Sequence, residues 1–152
     1  MHIHCGGNTI DNTVAPALTS EPAVPVPHTL APSPKAQCVL TPVPLIRLAY
    51  GRSGDKGDKA NIGIIARQSE YLPYIWTALT PEVVASCFSR FLDGRVERFL
   101  LPGIHAINFV LHDVLGGGGM ASLRNDAQGK GYAQILLAQP IDLPVSLAEQ
   151  IP

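Results

Sequence analysis

Apolar residues are scattered before residue 45 and gather into short runs after it. Leu45-Ile46-Arg47-Leu48-Ala49-Tyr50 reads as a strand. Ile62-Gly63-Ile64-Ile65-Ala66-Arg67, β-branched and of strand length, is predicted to pair with it. Tyr71–Leu79 suits a short helix with Pro73 in its first turn, where a missing N–H costs least. Thr80-Pro81-Glu82 then supplies an N-cap, a proline at the first helical position and an acid in the first turn. Behind it Val83, Val84, Cys87, Phe88 and Phe91 share one helical face, and Gly94 ends the run. Arg95–Leu101 is predicted as a third strand, closed by Pro102-Gly103. From His105 to Leu115 the apolar positions Ile107, Val110, Leu111, Val114 and Leu115 fall at helical spacing, predicting a helix with one buried face that Gly116–Gly119 stops. Ala121–Arg124 and Tyr132–Ala138 are predicted as a final pair of segments around the turn formers Asn125–Gly131. The order β-β-α-β-α-β-β implies an α+β two-layer sandwich, with helices on one face of a mainly antiparallel sheet.

Composition divides the chain at the same point. Residues 1–44 hold only Asp11, Glu21 and Lys35 as charged side chains but eight of the 14 prolines, with Pro-x-Pro recurring up to Pro44. Polyproline II or an unfolded tail is expected there, with a ligand for a proline-binding module as the rival reading. Residues 45–152 carry ten Lys/Arg against ten Asp/Glu, so the folded part is neutral and lacks the basic surface that nucleic-acid binding requires. Cys5, Cys38 and Cys87 are odd in number and far apart, which argues against a disulfide framework, a zinc site or an iron–sulfur cluster and for a reducing compartment. No apolar run approaches the roughly 20 residues that span a bilayer. The start also lacks the basic and apolar regions of a secretory signal. A cytoplasmic protein with no membrane or nucleic-acid partner is the expectation.

The chemistry concentrates in Gly51–Gly63, where glycines, five charged residues, Ser53 and Asn61 separate two apolar runs. Glycine lets such a segment turn its amides toward one point. The spacing fits neither a Walker A loop, because no Gly-Lys-Ser/Thr occurs, nor a Rossmann fingerprint, because a strand follows. Arg52 and Lys56 are candidates to bind an anion, Ser53 and Asn61 to orient it, and Asp55 or Asp58 to act as base or hold a cation. A solvated strand connection with mutually paired charges is the plain alternative. Arg124-Asn125-Asp126-Ala127-Gln128-Gly129-Lys130 clusters an acid, an amide and two bases, and becomes a site only if the fold brings it beside the first segment. His105, Asn108 and His112 share one side of the predicted helix, which reads as a solvated face, with Asn108 able to reach a neighbouring loop. No metal site is expected. No nucleophile stands out, since Cys87 falls on a buried helical face and no G-x-S-x-G elbow is present.

Taken together, Arg52–Gly63, Leu101-Pro102 followed by Ala106-Ile107-Asn108-Phe109-Val110-Leu111, the Gly116–Gly119 run, and Ser122-Leu123-Arg124 with Asp126–Lys130 resemble the C-terminal domain of the acyclic terpene utilisation protein AtuA. The resemblance covers about residues 45–144, and Asn125 stands where the family pattern carries an apolar residue. It implies a ferredoxin-like fold, a topology that requires no iron–sulfur cluster and no other cofactor. It also implies a place in bacterial catabolism of acyclic terpenoids through acyl-CoA intermediates. Full-length relatives carry a larger N-terminal domain that residues 1–44 are too short to replace. The expectation is therefore an accessory domain or subunit, partnered by a protein resembling that larger domain. Arg52, Ser53, Lys56, Asn61, Asn108, Arg124, Gln128 and Lys130 would supply a polar surface for an acyl-CoA or carboxylate ligand. A homo-oligomer is a further expectation. The rival is an independent hydratase or lyase acting on an acyl-CoA, with Asp55 or Asp126 as general base.

Overall fold

A computed structural model of the chain describes residues 2–5, 8–11, 33 and 39–151. In chain order the elements are β1 (His2–Cys5), β2 (Asn8–Asp11), β3 (Leu40–Pro44), α1 (Leu45–Leu48), β4 (Ala49–Lys56), β5 (Lys59–Ala66), α2 (Leu72–Ala78), α3 (Pro81–Cys87), β6 (Val96–Leu101), β7 (Ala106–Leu111), α4 (Tyr132–Leu137), β8 (Pro140–Pro144) and α5 (Val145–Ala148). Two single turns of 3-10 helix, Ser69–Tyr71 and Pro102–Ile104, precede α2 and β7. No helix among the described residues is long and apolar enough to cross a membrane. Most of the proline-rich stretch, and with it the polyproline reading, lies outside the described residues. Inside the segment assigned to the tail, β1 nevertheless pairs antiparallel with β2, and β3, from Leu40, pairs antiparallel with β8 and buries Val43.

The main sheet has the order β4-β5-β7-β6, with every neighbouring pair antiparallel. Its chain order is ββαββα, counting α2 and α3 as one crossover; moving β4 behind α4 restores the split βαββαβ arrangement. Among the described residues, helices lie on one face of this sheet. Ile62, Ile64, Ile107, Phe109 and Leu111 point into the core, where Ile75, Val84, Phe88, Ala133 and Leu136 meet them. α4 packs on β4 so closely that a Cβ on Gly51 would sit 3.0 Å from Leu137 Cδ1.

Five expectations are corrected here. Gly51–Gly63 is a hairpin of β4 and β5 turning at Gly57-Asp58, not a loop between Leu45–Tyr50 and Ile62–Arg67, and Leu45–Leu48 is one helical turn. The helix predicted from His105 is the strand β7, because Ile107, Phe109 and Leu111 alternate into the core with period two. Val114 and Leu115 completed the helical spacing by coincidence: they are buried in the following loop, held by their amides on the Asp58 carbonyl. Tyr132–Ala138 is not a strand but the helix α4, and Ala121–Arg124 forms turns. The starts of the two earlier helices stand as expected, with Pro73 in the first turn of α2 and Thr80 capping α3 by accepting a hydrogen bond from the Val83 amide at 3.3 Å, but α3 ends at Cys87, short of Gly94. The buried side of α3 centres on Val84 and Phe88, while Val83 is exposed.

Candidate functional site

Because helices cover one face of the sheet, the other is open. Antiparallel register places directly opposed residues on the same side, so this face carries three rows. Tyr50, Ile65, Ala106 and Leu101 form the first, Arg52, Gly63, Asn108 and Phe99 the second, and Gly54, Asn61, Val110 and Glu97 the third. The first two rows hold four large apolar side chains in water: Tyr50 is 58% exposed, Phe99 47%, Ile65 44% and Leu101 41%. Gly54 and Gly63 sit diagonally to each other and lack side chains, which leaves a hollow of about 450 Å³ along β4, with Arg52, Asn61, Ile65 and Lys130 among its walls.

Lys130 arrives there from α4's side of the sheet. Ser53 lies on the core face of β4 and is buried; its hydroxyl hydrogen reaches the Gly129 carbonyl at 2.6 Å, with the Lys130 carbonyl at 3.1 Å, and its oxygen accepts from the Ala133 amide at 2.9 Å. This seam fixes the backbone at the start of α4 against the edge strand. The Lys130 side chain then reaches Gly54, where its Nζ would stand 3.4 Å from an added Cβ. Asp126 holds the same turn from the other side, its two oxygens each accepting an amide at 2.8 Å, from Lys130 and Gly131.

The two polar segments therefore meet along a seam, and of the second segment Lys130 reaches the hollow. Arg52, Asp55, Lys56, Asn61 and Lys130 line the hollow. Asn108 lies beside the lining in the next strand, its Oδ1 accepting from Asn61 Nδ2 at 3.4 Å. Ser53 is a structural tie, with its hydroxyl spent on the start of α4. Arg124 points elsewhere: it donates to the Val114 carbonyl, reaches the Phe91 carbonyl at 3.4 Å and lies 5.6 Å from the Phe91 ring centroid. Gln128 lies against Gly119. Asp126 is occupied by backbone amides, and Asp55 leans toward Gly119 at the rim, so the two candidate bases do not face one reacting point.

Charge in the hollow is unbalanced. Among the described lining residues, Arg52, Lys56 and Lys130 stand against Asp55 alone, a net charge of +2. Lys56 donates to the Asp55 carbonyl at 2.9 Å, whereas the guanidinium of Arg52 has no hydrogen bond or ion pair with another described residue. At the far end of the face, Glu97 is held below the usual carboxylate range by hydrogen bonds from Arg95 and then His112. His112 Nε2 stands 3.2 Å from Glu97 Oε2. The helical face proposed for His105, Asn108 and His112 does not exist: His105 precedes β7 in a left-handed turn (φ 51°) and His112 follows it. Among the described residues no three His, Cys, Asp or Glu side chains cluster as metal ligands. Burial pushes the Cys87 thiol up, away from thiolate.

Reading residues one segment at a time missed Tyr50, Ile65, Phe99 and Leu101. Their signal was present as alternate positions on three runs, but it needs the strand pairing to become a surface. Residues 43–142 match the family model described as AtuA ferredoxin-like domain. No curated protein and no solved structure matches the chain.

Proposed function

Because the chain belongs to the AtuA ferredoxin-like domain family, we propose that it works as an accessory domain in the catabolism of acyclic terpenoid or acyl-CoA compounds. Its open sheet face would seat on a larger protein resembling the AtuA N-terminal domain, and the hollow beside Arg52 would complete a site at the junction. The observation that carries this reading is the open face itself, with Tyr50, Ile65, Phe99 and Leu101 beside the Arg52 guanidinium, which has no partner among the described residues.

Magnitudes favour a joint apolar and charged interface. Full burial of a large apolar side chain is worth ~1.5–3 kcal/mol, so four half-exposed ones contribute roughly 3–6 kcal/mol. Association itself costs about 4–15 kcal/mol. The apolar rows therefore hold a partner only with help, and the cations of the hollow are the adjacent groups able to give it. Co-expression with such a larger protein from the same genome, followed by size-exclusion chromatography with light scattering, tests the reading. A complex of the two chains is expected. Two separate peaks, or a dimer of this chain alone through the same face, would replace it.

A further inference from the structure

The hollow has a shape and charge that define a ligand, and we infer that it binds an amphipathic monocarboxylate, with the carboxylate between Arg52 and Asn108 and the apolar tail along Tyr50 and Ile65. This rests on the reading of the open face as the functional one. It concerns the isolated chain, so it stands or falls separately from the partner complex.

The register builds the anion position. Arg52 pairs with Gly63, and Gly63 pairs with Asn108, so a residue without a side chain stands between a guanidinium and an amide. Two strand spacings separate the flanking backbones, roughly 10 Å, enough for one planar anion resting on the Gly63 backbone. An added Cβ on Gly63 would approach nothing nearer than the Arg52 carbonyl at 3.9 Å, so the space above it is open. In the next row Gly54 is bare for the same reason, and Lys130 Nζ occupies that side.

Donors converge on the opening. Arg52 offers a planar fork matched to a carboxylate, with no competing partner among the described residues. Asn61 Nδ2 is turned to Asn108 Oδ1, which leaves the Asn108 amide group as a further donor. The planar fork of Arg52 matches one carboxylate, and Asp55 in the lining opposes a second negative charge beside it. The volume, about 450 Å³, falls within the range of small-molecule pockets.

The tail direction follows from the strand rise. Tyr50 and Ile65 lie two residues from Arg52 and Gly63, roughly 7 Å along the strands. The Tyr50 ring is held flat by the Arg67 guanidinium 3.9 Å from its centroid. A ligand must cross that distance before it gains apolar contact, so the head group alone binds poorly.

Titration of the isotope-labelled chain, followed by amide NMR, tests this. Octanoate is expected to give saturable shifts at Gly54, Asn61 and Gly63 and in the Asn61 and Asn108 side-chain amides, while acetate, octanol and inorganic phosphate give none. Arg52→Gln is expected to weaken octanoate binding by about tenfold or more. Gly63→Val, which fits the strand and the open space above it, is expected to remove binding while the unfolding midpoint stays level or rises. The inference is overturned if octanoate produces no saturable shifts, or if Arg52→Gln and Gly63→Val leave its affinity unchanged. Binding of phosphate or octanoyl-CoA without octanoate would overturn it equally.

Discussion

The Ser53 hydroxyl accepts a hydrogen bond from the Ala133 amide at 2.9 Å and donates to the Gly129 carbonyl at 2.6 Å, joining the edge strand to a helix 80 residues further along the chain. A buried hydroxyl with partners on both sides leaves those partners unsatisfied when it is removed. Ser53→Ala is therefore expected to cost ~2–3 kcal/mol, read as a lowered urea midpoint with an unchanged slope. The same change should loosen Lys130 from Gly54, so octanoate affinity should fall even in the fraction that remains folded.

Asp58 ties the hairpin turn to the glycine run. Its Oδ1 accepts from the amides of Gly117 at 2.8 Å and Leu115 at 3.2 Å, and Gly118 passes so close that an added Cβ would stand 2.7 Å from the Gly57 carbonyl oxygen. Gly118 also has φ of 83°, in the left-handed range. Gly118→Ala combines clash with backbone strain and is expected to destabilise by about 1–3 kcal/mol. Gly103→Ala, where an added Cβ meets nothing within 4 Å, is expected to stay within about 0.5 kcal/mol. Thermal unfolding of the pair checks the contrast.

Arg98 crosses from the sheet to α2. It donates to the carbonyls of Trp76 at 2.5 Å and Leu79 at 2.9 Å, and its guanidinium lies 3.5 Å from the Trp76 ring centroid. Arg98→Lys keeps the charge but loses the planar fork, so it is expected to recover less than half of the roughly 2–3 kcal/mol lost in Arg98→Ala. Denaturant unfolding of the three proteins measures this.

Glu97 gives a pH signature. Its folded-state pKa lies below the ordinary 4.5 because Arg95, and then His112, hydrogen-bond to the charged form. The sign follows from linkage: the stabilisation is present above the unfolded value and is lost as pH falls through the folded one. Carboxyl NMR titration of Arg95→Ala is expected to move the Glu97 midpoint upward toward 4.5. No movement would show that Arg95 does not set it.

The legible parts of the fold were those marked by local chemistry. Thr80-Pro81-Glu82 starts α3 wherever it occurs, and Arg95–Leu101 has no rival period, so both were readable. Residues 105–115 were not, because Ile107, Phe109 and Leu111 satisfy a strand while Ile107, Val110, Leu111 and Val114 satisfy a helix. Only pairing with β5 decides between them. Tyr132–Leu137 is too short to show its period, and its helix is set by the long-range tie to Ser53 and the turn held by Asp126. For the site, Arg52, Asn61 and Lys130 were identified as residue types. The hollow they share was hidden because it is made by what Gly54 and Gly63 lack, in strands whose pairing had not been placed.

The claim that the open face is the working surface is tested most directly by co-purifying the larger AtuA-type partner with three forms of this chain: unmodified, Phe99→Glu and Val83→Glu. Phe99 is half-exposed on the open face, and Val83 is equally accessible on the helical side. The expected result is a complex retained by the unmodified chain and by Val83→Glu and lost in Phe99→Glu, with all three forms equally folded. Retention by Phe99→Glu together with loss in Val83→Glu would contradict the account and move the interface to the helices.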